Sequence, residues 1–482
     1  MSERNSYVDF FFVMRLRGSG GCASKAERPS GSLANGVASI SLMGIEVDSD
    51  PKATQNVAPQ SELPAAPQPT DPAAIERRAK EEYIERKEAL TAQLTAAVTA
   101  AVASSAAMEL PRRSSWGRFS GHELAGLMVH TTVISCKWLV AWAESNPGVG
   151  LPCWQELPVG ASVDLQALLP WRSIKSLPIV IWSYCWLDHD HPDSRGEQLG
   201  RYLPVLRAFA AEASVYSAEG DVGVVIDWCS LPQFPRRDAH EVARFRMGLS
   251  AINRWYAKSS VTVLMLPELP APPSLADGPM PHANLRGYDA RGWPTFEKHM
   301  SAIVKDAVCL LDVSAWPADQ QHAADLREVL RACRGHSRPA PVSPPRFAQR
   351  LSAAVASGTI AFTAGADLDV VCRQYEVGFE IEMRAADQLF FDRLQWDDSH
   401  VCDLAAAIEY ALQIGALEEC KRLHMADNPA IGDDGLVELA RVLPRWASLG
   451  FLSVRGCSAS ATGRDAVMQA CKHRGIDGLQ HW

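Results

Sequence analysis

Between Leu177 and Leu311 the chain repeats one unit: a short apolar run that ends in polar residues, then a segment with helical spacing. The runs are Ile179-Val180-Ile181-Trp182, Val222 to Ile226, Val261 to Leu266 and Val308 to Leu311. They are too continuous for strands with one wet face. Separated by amphipathic helices, they match a parallel sheet covered on both sides. The fold class that follows is α/β, a doubly wound and mainly parallel sheet. Ligands of such sheets meet the carboxyl ends of the strands, so the polar residues just after each run are the candidate site.

The intervening helices are read from their stripes. A helix over about 196 to 213 aligns Leu199, Tyr202, Leu206 and Phe209, with Pro204 expected to kink it. A second, over about 238 to 256, aligns Val242, Phe245, Leu249, Ile252 and Tyr256. The stretch from Pro267 to Ala290 is rich in Pro and Gly, a loop expected to be either disordered or a cover over a site. A third helix follows Trp293, with Pro294 in its first turn and Phe296, Met300 and Ile303 buried.

The flanks divide the chain further. Residues 1 to 70 mix Gly, Ser, Pro and Asn without a sustained period and are expected to be disordered. Over 71 to 110, Asp71-Pro72 starts a long helix in which Leu90, Leu94, Val98 and Val102 recur every fourth residue, either a solvated stalk or a coiled-coil partner site. The α/β domain is placed at 111 to 335, although no clear period is visible from Trp116 to Trp171. A linking α/β unit is expected over 336 to 385, with Thr359-Ile360-Ala361-Phe362 as its strand. From 386 to 482 the chain repeats itself: Leu423 to Asn428 and a helix through Leu443 are echoed by Leu452 to Cys457 and a helix through Cys471, with a weaker copy at Leu389-Phe390-Phe391. This tail looks like short leucine-rich repeats of the longer, helix-bearing ribonuclease-inhibitor type, expected either to cap the body or to select a partner.

Composition narrows the partners. A net charge of -9 gives no general attraction to nucleic acid or to an anionic membrane, and neither is expected as a partner. The run Phe10 to Met14 is too short for a secretory signal, and the Ala-rich stretch from Thr91 to Met108 reads as a soluble helix. The twelve cysteines are scattered without a C-x-x-C pair, which suits reduced thiols and a cytoplasmic location. No Walker loop, GxGxxG, GxSxG or HExxH occurs.

Polar clusters stand at the strand ends: Ser183-Tyr184-Cys185-Trp186-Leu187-Asp188 leading into His189-Asp190-His191, Asp227-Trp228-Cys229-Ser230-Leu231-Pro232-Gln233, Arg291-Gly292-Trp293-Pro294-Thr295-Phe296-Glu297, and Asp312-Val313-Ser314. A strand ending in Ile-Trp-Ser-Tyr, another ending in Ile-Asp-Trp-Cys-Ser-Leu-Pro-Gln, then Arg-Gly-Trp-x-x-x-Glu opening a helix, resemble the heterokaryon-incompatibility (HET) domain. That domain is similar to the Toll/interleukin-receptor (TIR) fold, of flavodoxin-like type. The resemblance spans about 177 to 312, and the chain departs from it by the long insertion before Arg291 and the His-Asp-rich loop after the first strand.

In catalytically active TIR-like domains a glutamate four residues after a tryptophan supports cleavage of the nicotinamide glycosidic bond of NAD. The resemblance therefore implies Glu297 as the catalytic residue and NAD as substrate, with no certain cofactor. A carboxylate there stabilises the positive charge that builds on the ribose as the bond breaks. The ligand-binding set is Ser183, Tyr184, Trp186, Asp188, Asp227, Gln233, Arg291 and Trp293, with Trp186 or Trp293 stacking on a flat base and Ser183 near a phosphate.

Each residue also has a structural reading. Glu297 would sit in a first helical turn, or pair with Arg291. Asp227 would cap a turn, the His-Asp loop would be solvated rather than metal-binding, and Cys185 and Cys229 would be inert. Two functions are carried forward. The first is a non-catalytic signalling or interaction module acting through self-association or protein partners, by way of the α/β domain, the long helix or the repeats. The second is an NAD glycohydrolase using Glu297.

Overall fold

The computed structural model describes residues 126–163, 177–188, 190–216, 220–270, 284, 286–334, 338–363, 365, 367–472 and 476. The expected disorder over 1 to 70, the helix over 71 to 110 and most of the loop before Tyr288 lie outside the described residues. Those described belong to one compact unit.

The chain enters through β1 (Ile134–Ser135) and α1 (Cys136–Ser145), whose start is set by Ser135: its side chain accepts from Trp138 N and donates to Asp221 Oδ2. Then come β2 (Ile179–Tyr184), α2 (Glu197–Tyr216), β3 (Gly223–Val225), the single turn α3 (Asp227–Ser230), α4 (Ala239–Ser250), α5 (Ile252–Ala257) and β4 (Val261–Leu266). α6 (Gly292–Ser301), β5 (Leu310–Asp312) and α7 (Leu326–Ala332) complete this part. The sheet order is β1-β3-β2-β4-β5, parallel throughout except for β1, which pairs antiparallel with β3 at the edge.

Helices cover both faces. On one, Tyr202 of α2 stacks on Trp182 at 3.9 Å and donates to the Ser183 and Leu264 carbonyls. On the other, Ile179, Ile181, Val261, Val263 and Met265 pack with Ile252, Tyr256, Phe296 and Met300 from α5 and α6. The chain leaves β2 toward β3 and then crosses back to β4, so the switch point of the sheet opens between the carboxyl ends of β2 and β4.

Where no period is visible in the sequence, Ile134–Ser135 and Cys136–Ser145 supply an edge strand and a covering helix. Two expectations are corrected here. The helix expected over 238 to 256 is two helices, because the backbone turns at Ala251 (φ -105°, ψ 1°), leaving α4 half-buried while Ile252, Trp255 and Tyr256 go into the core. The linking unit holds α8 (Pro344–Ala356) and α9 (Asp367–Ala385), and Thr359 to Phe362 makes only the bridge of Ala361 to Arg291.

That bridge explains a glycine. A Cβ on Gly292 would lie 2.1 Å from the Phe362 ring, which covers the start of α6. Gly292→Ala is expected to lower stability by about 1–3 kcal/mol, read as an earlier urea midpoint.

The tail contains β6 (Gln388–Phe390), α10 (Asp398–Gln413), β7 (Arg422–His424), α11 (Asp433–Val442), β8 (Phe451–Ser453) and α12 (Ala461–Lys472). The three strands are parallel and in register, with Leu389, Leu423 and Leu452 side by side and fully buried. Between them and the helices Asn428 is fully buried. Its Nδ2 donates to the Phe391 and Met425 carbonyls and its Oδ1 accepts from the Leu394 and Trp396 amides. Among the described residues no helix is long and apolar enough to cross a membrane.

Candidate functional site

Ser183 lies near the carboxyl end of β2, beside the switch point, and is fully buried. Its hydroxyl donates to Glu297 Oε2 at 2.5 Å and lies 2.5 Å from the Tyr288 hydroxyl. Each hydroxyl has one proton, so either Ser183 or Tyr288 can be the donor in the second bond. On the other side Tyr256 donates its hydroxyl to the Trp182 carbonyl at 2.8 Å. Ser183 of β2 thus links the Glu297 carboxyl to the Tyr288 hydroxyl in the turn before α6.

Neither structural reading of Glu297 holds. It is the sixth residue of α6, past the first turn where the helix dipole acts. Arg291 does not pair with it: the guanidinium donates to the carbonyls of Arg286, Trp186 and Asn284. Burial, reinforced by the charge of Asp227 and opposed chiefly by the Ser183 hydrogen bond, pushes the Glu297 carboxyl up to about 8. It is a neutral acid at neutral pH.

Asp227, first residue of α3, forms the second half of the site. It accepts from Tyr184 Oη at 2.7 Å, Trp186 Nε1 at 2.8 Å and Trp228 N at 2.7 Å, and burial raises its pKa against those bonds. Trp186 is half-buried, its ring edge-on to Trp228. Arg291 ties this half to α6 by holding the Trp186 carbonyl. Arg291→Lys, which cannot reach several carbonyls from one planar fork, is expected to cost about 2 kcal/mol and to speed amide exchange between Asn284 and Gly292.

The other expected ligand residues are elsewhere. Trp293 donates to Asp367 Oδ2 on α9 and packs edge-on to Phe296, so its indole is used in joining α6 to α9 rather than in stacking on a base. Gln233 folds back on its own loop, donating to the Asp227 and Leu231 carbonyls. Asp188 is half-buried in the loop after β2. In that loop His191 sits against Trp228 and accepts from Asp193 N, while the Asp193 carboxylate accepts from the Glu197 and Leu199 amides at the start of α2. Among the described residues no group of three or more His, Cys, Asp and Glu could hold a metal ion. The Cys185 thiol is fully buried and pushed up to about 11 by burial, which makes it inert.

Tyr256 and Tyr288 were not among the expected site residues. Tyr256 fills the last position of an apolar stripe, and Tyr288 is an isolated aromatic at the end of a Pro- and Gly-rich loop. The only signal either offers is a hydroxyl on a ring that must be buried and must find a partner.

Sheet order and site together define a mainly parallel α/β protein with a neutral, hydroxyl-bonded carboxyl at its switch point. No family model, curated protein or solved structure matches the chain.

Proposed function

We propose that the chain is a HET/TIR-like signalling protein whose strand-end site cleaves the nicotinamide glycosidic bond of NAD, with Glu297 as the catalytic carboxyl. The observation that carries this reading is Glu297 itself, an acid at the switch point without a cationic partner among the described residues. Burying a carboxyl among hydroxyls costs stability, and the two structural reasons for doing so are absent. The nicotinamide ring of NAD is cationic. Placed beside Glu297 it favours ionisation, and the carboxylate then stabilises the charge that develops on the ribose. The bonding pair leaves on the nicotinamide nitrogen, and water adds to the ribose carbon. The proton released from that water returns to Glu297, so the products are nicotinamide, ADP-ribose and one proton.

In the substrate-free protein Glu297 must lose its proton before it can serve. The expected kcat/KM for nicotinamide release therefore rises with pH and levels off above about 8. A profile that falls over this range contradicts the assignment.

The non-catalytic reading has its own support in Tyr288, which is buried and hydrogen-bonded to Ser183, and in Trp293, which is taken up by α9. Under it, the α/β domain associates with like domains or other proteins, and the tail selects them. The in-register Leu389, Leu423 and Leu452 and the buried Asn428 support reading that tail as leucine-rich repeats. Its strand face carries the rings of Phe390, His424 and Phe451 in a row, a surface suited to a protein partner. The free thiols among the described cysteines support a cytoplasmic setting.

A further inference from the structure

A buried chain of hydroxyls ends on Glu297. Tyr288 is 3% exposed and Ser183 is fully buried; their hydroxyls lie 2.5 Å apart, and Ser183 donates to Glu297 Oε2 at 2.5 Å. Each hydroxyl carries a single proton. While Glu297 is a neutral acid, the two bonds can run in either direction. A carboxylate has no proton to give, so once Glu297 ionises only one arrangement keeps both bonds: Tyr288 donates to Ser183, and Ser183 donates to the carboxylate. Among the described residues the Tyr288 hydroxyl has no partner but Ser183, so nothing else there competes for its proton.

The other groups around Glu297 do not hold its charge. Asp227 of α3 opposes ionisation. Tyr202 of α2, Tyr256 of α5 and the Cys185 thiol after β2 are raised by burial and stay neutral, and the Tyr256 proton is on the Trp182 carbonyl. At α6 itself Arg291 is turned to backbone carbonyls, Lys298 pairs with Asp289, and Asp367 of α9 accepts from Trp293. The Ser183 hydroxyl and the donor behind it remain. Hydrogen bonds in series polarise one another in a buried site, so a hydroxyl that never touches the carboxylate still bears on it.

We propose that Tyr288 is a positioning residue that favours the ionised form of Glu297 at second hand, by donating to Ser183 while Ser183 donates to the carboxylate. The consequence for catalysis rests on the glycohydrolase reading; the relay of hydrogen bonds does not. Because Tyr288 belongs to the turn before α6, its withdrawal takes a donor from the chain and returns Glu297 toward the neutral acid. The placement of that turn is thereby coupled to the charge at the switch point.

The test is a pH titration of the full chain followed by infrared difference spectroscopy, with the protonated-carboxyl band of Glu297 assigned by its loss in Glu297→Gln. Ser183→Ala removes the direct donor, and the Glu297 midpoint is expected to rise by about one pH unit or more. Tyr288→Phe keeps Ser183 and is expected to raise it by about half as much. Replacing Tyr288 with 3-fluorotyrosine, a stronger donor of nearly the same shape, is expected to lower it. A merely structural role would not move the midpoint in opposite directions for these two replacements. Should Tyr288→Phe not fold, the fluorinated protein carries the test alone. A midpoint left in place by the replacements of Tyr288, or moved upward by both, overturns the proposal, as does a wild-type protein with no titrating Glu297 band. Nicotinamide release is followed on the same samples, and its pH profile is expected to move with the midpoint. Shifted midpoints without any release leave Tyr288 in its role and remove the glycohydrolase reading; release with an unmoved midpoint does the reverse.

Discussion

Glu297→Gln is expected to stabilise the protein at alkaline pH. The Glu297 carboxyl has its pKa raised from 4.5 to about 8 on folding, so between these values the folded state holds a proton that the unfolded chain has lost. Stability contributed by this group is therefore present below about pH 4.5 and is lost as pH rises through about 8. The full span corresponds to about 3–4 kcal/mol after allowing for the partial exposure of the residue. Glutamine keeps the shape, still accepts from Ser183 and never ionises. Urea unfolding of both proteins from about pH 5 to 9 reads the effect: the two curves are expected to separate with rising pH, the variant being more stable at the alkaline end. Asp227 is also raised by burial, but it is present in both proteins, and the difference between the curves isolates Glu297. Parallel curves would mean that Glu297 is ionised in the folded protein at neutral pH.

Asn428→Ala is expected to have the opposite sign and a larger effect on folding. The amide serves two donors and three acceptors of the backbone in the buried space between strands and helices. Alanine leaves the Leu394 and Trp396 amides and the Phe391 and Met425 carbonyls without these bonds. Trp396 stacks on Phe391 at 4.8 Å and donates to the Arg338 carbonyl, so disorder at this turn spreads toward the rest of the chain. A loss of about 3–5 kcal/mol is expected, seen as an early, less cooperative transition in tryptophan fluorescence. Asn428→Asp should cost at least as much, since a carboxylate would face two carbonyl oxygens. A midpoint within error of wild type would show that the turn is held by other bonds.

What could be read from the residues follows from how local each signal is. β2, β3, β4 and β5 were visible because strands buried on both faces are continuous apolar runs. β1 was not, because two residues carry no pattern and its place beside β3 is decided by the sheet. The turn at Ala251 was hidden by a stripe that continues across it. At the site, Ser183 and Asp227 could be picked out because they follow apolar runs, and Glu297 because it closes the Arg-Gly-Trp-x-x-x-Glu pattern. The roles of Tyr256 and Tyr288 depend on where a ring comes to rest, which only tertiary packing determines. Arg291 shows the same limit from the other side: six residues from Glu297 it looks like a salt-bridge partner, yet its fork fits three carbonyls better.

The most direct measurement is nicotinamide release from NAD by the full chain at high protein concentration and about pH 8.5, beside Glu297→Gln. Release by the wild type that drops by about a hundredfold or more in the variant is the predicted result. Equal release by the two proteins, or none by either, contradicts it.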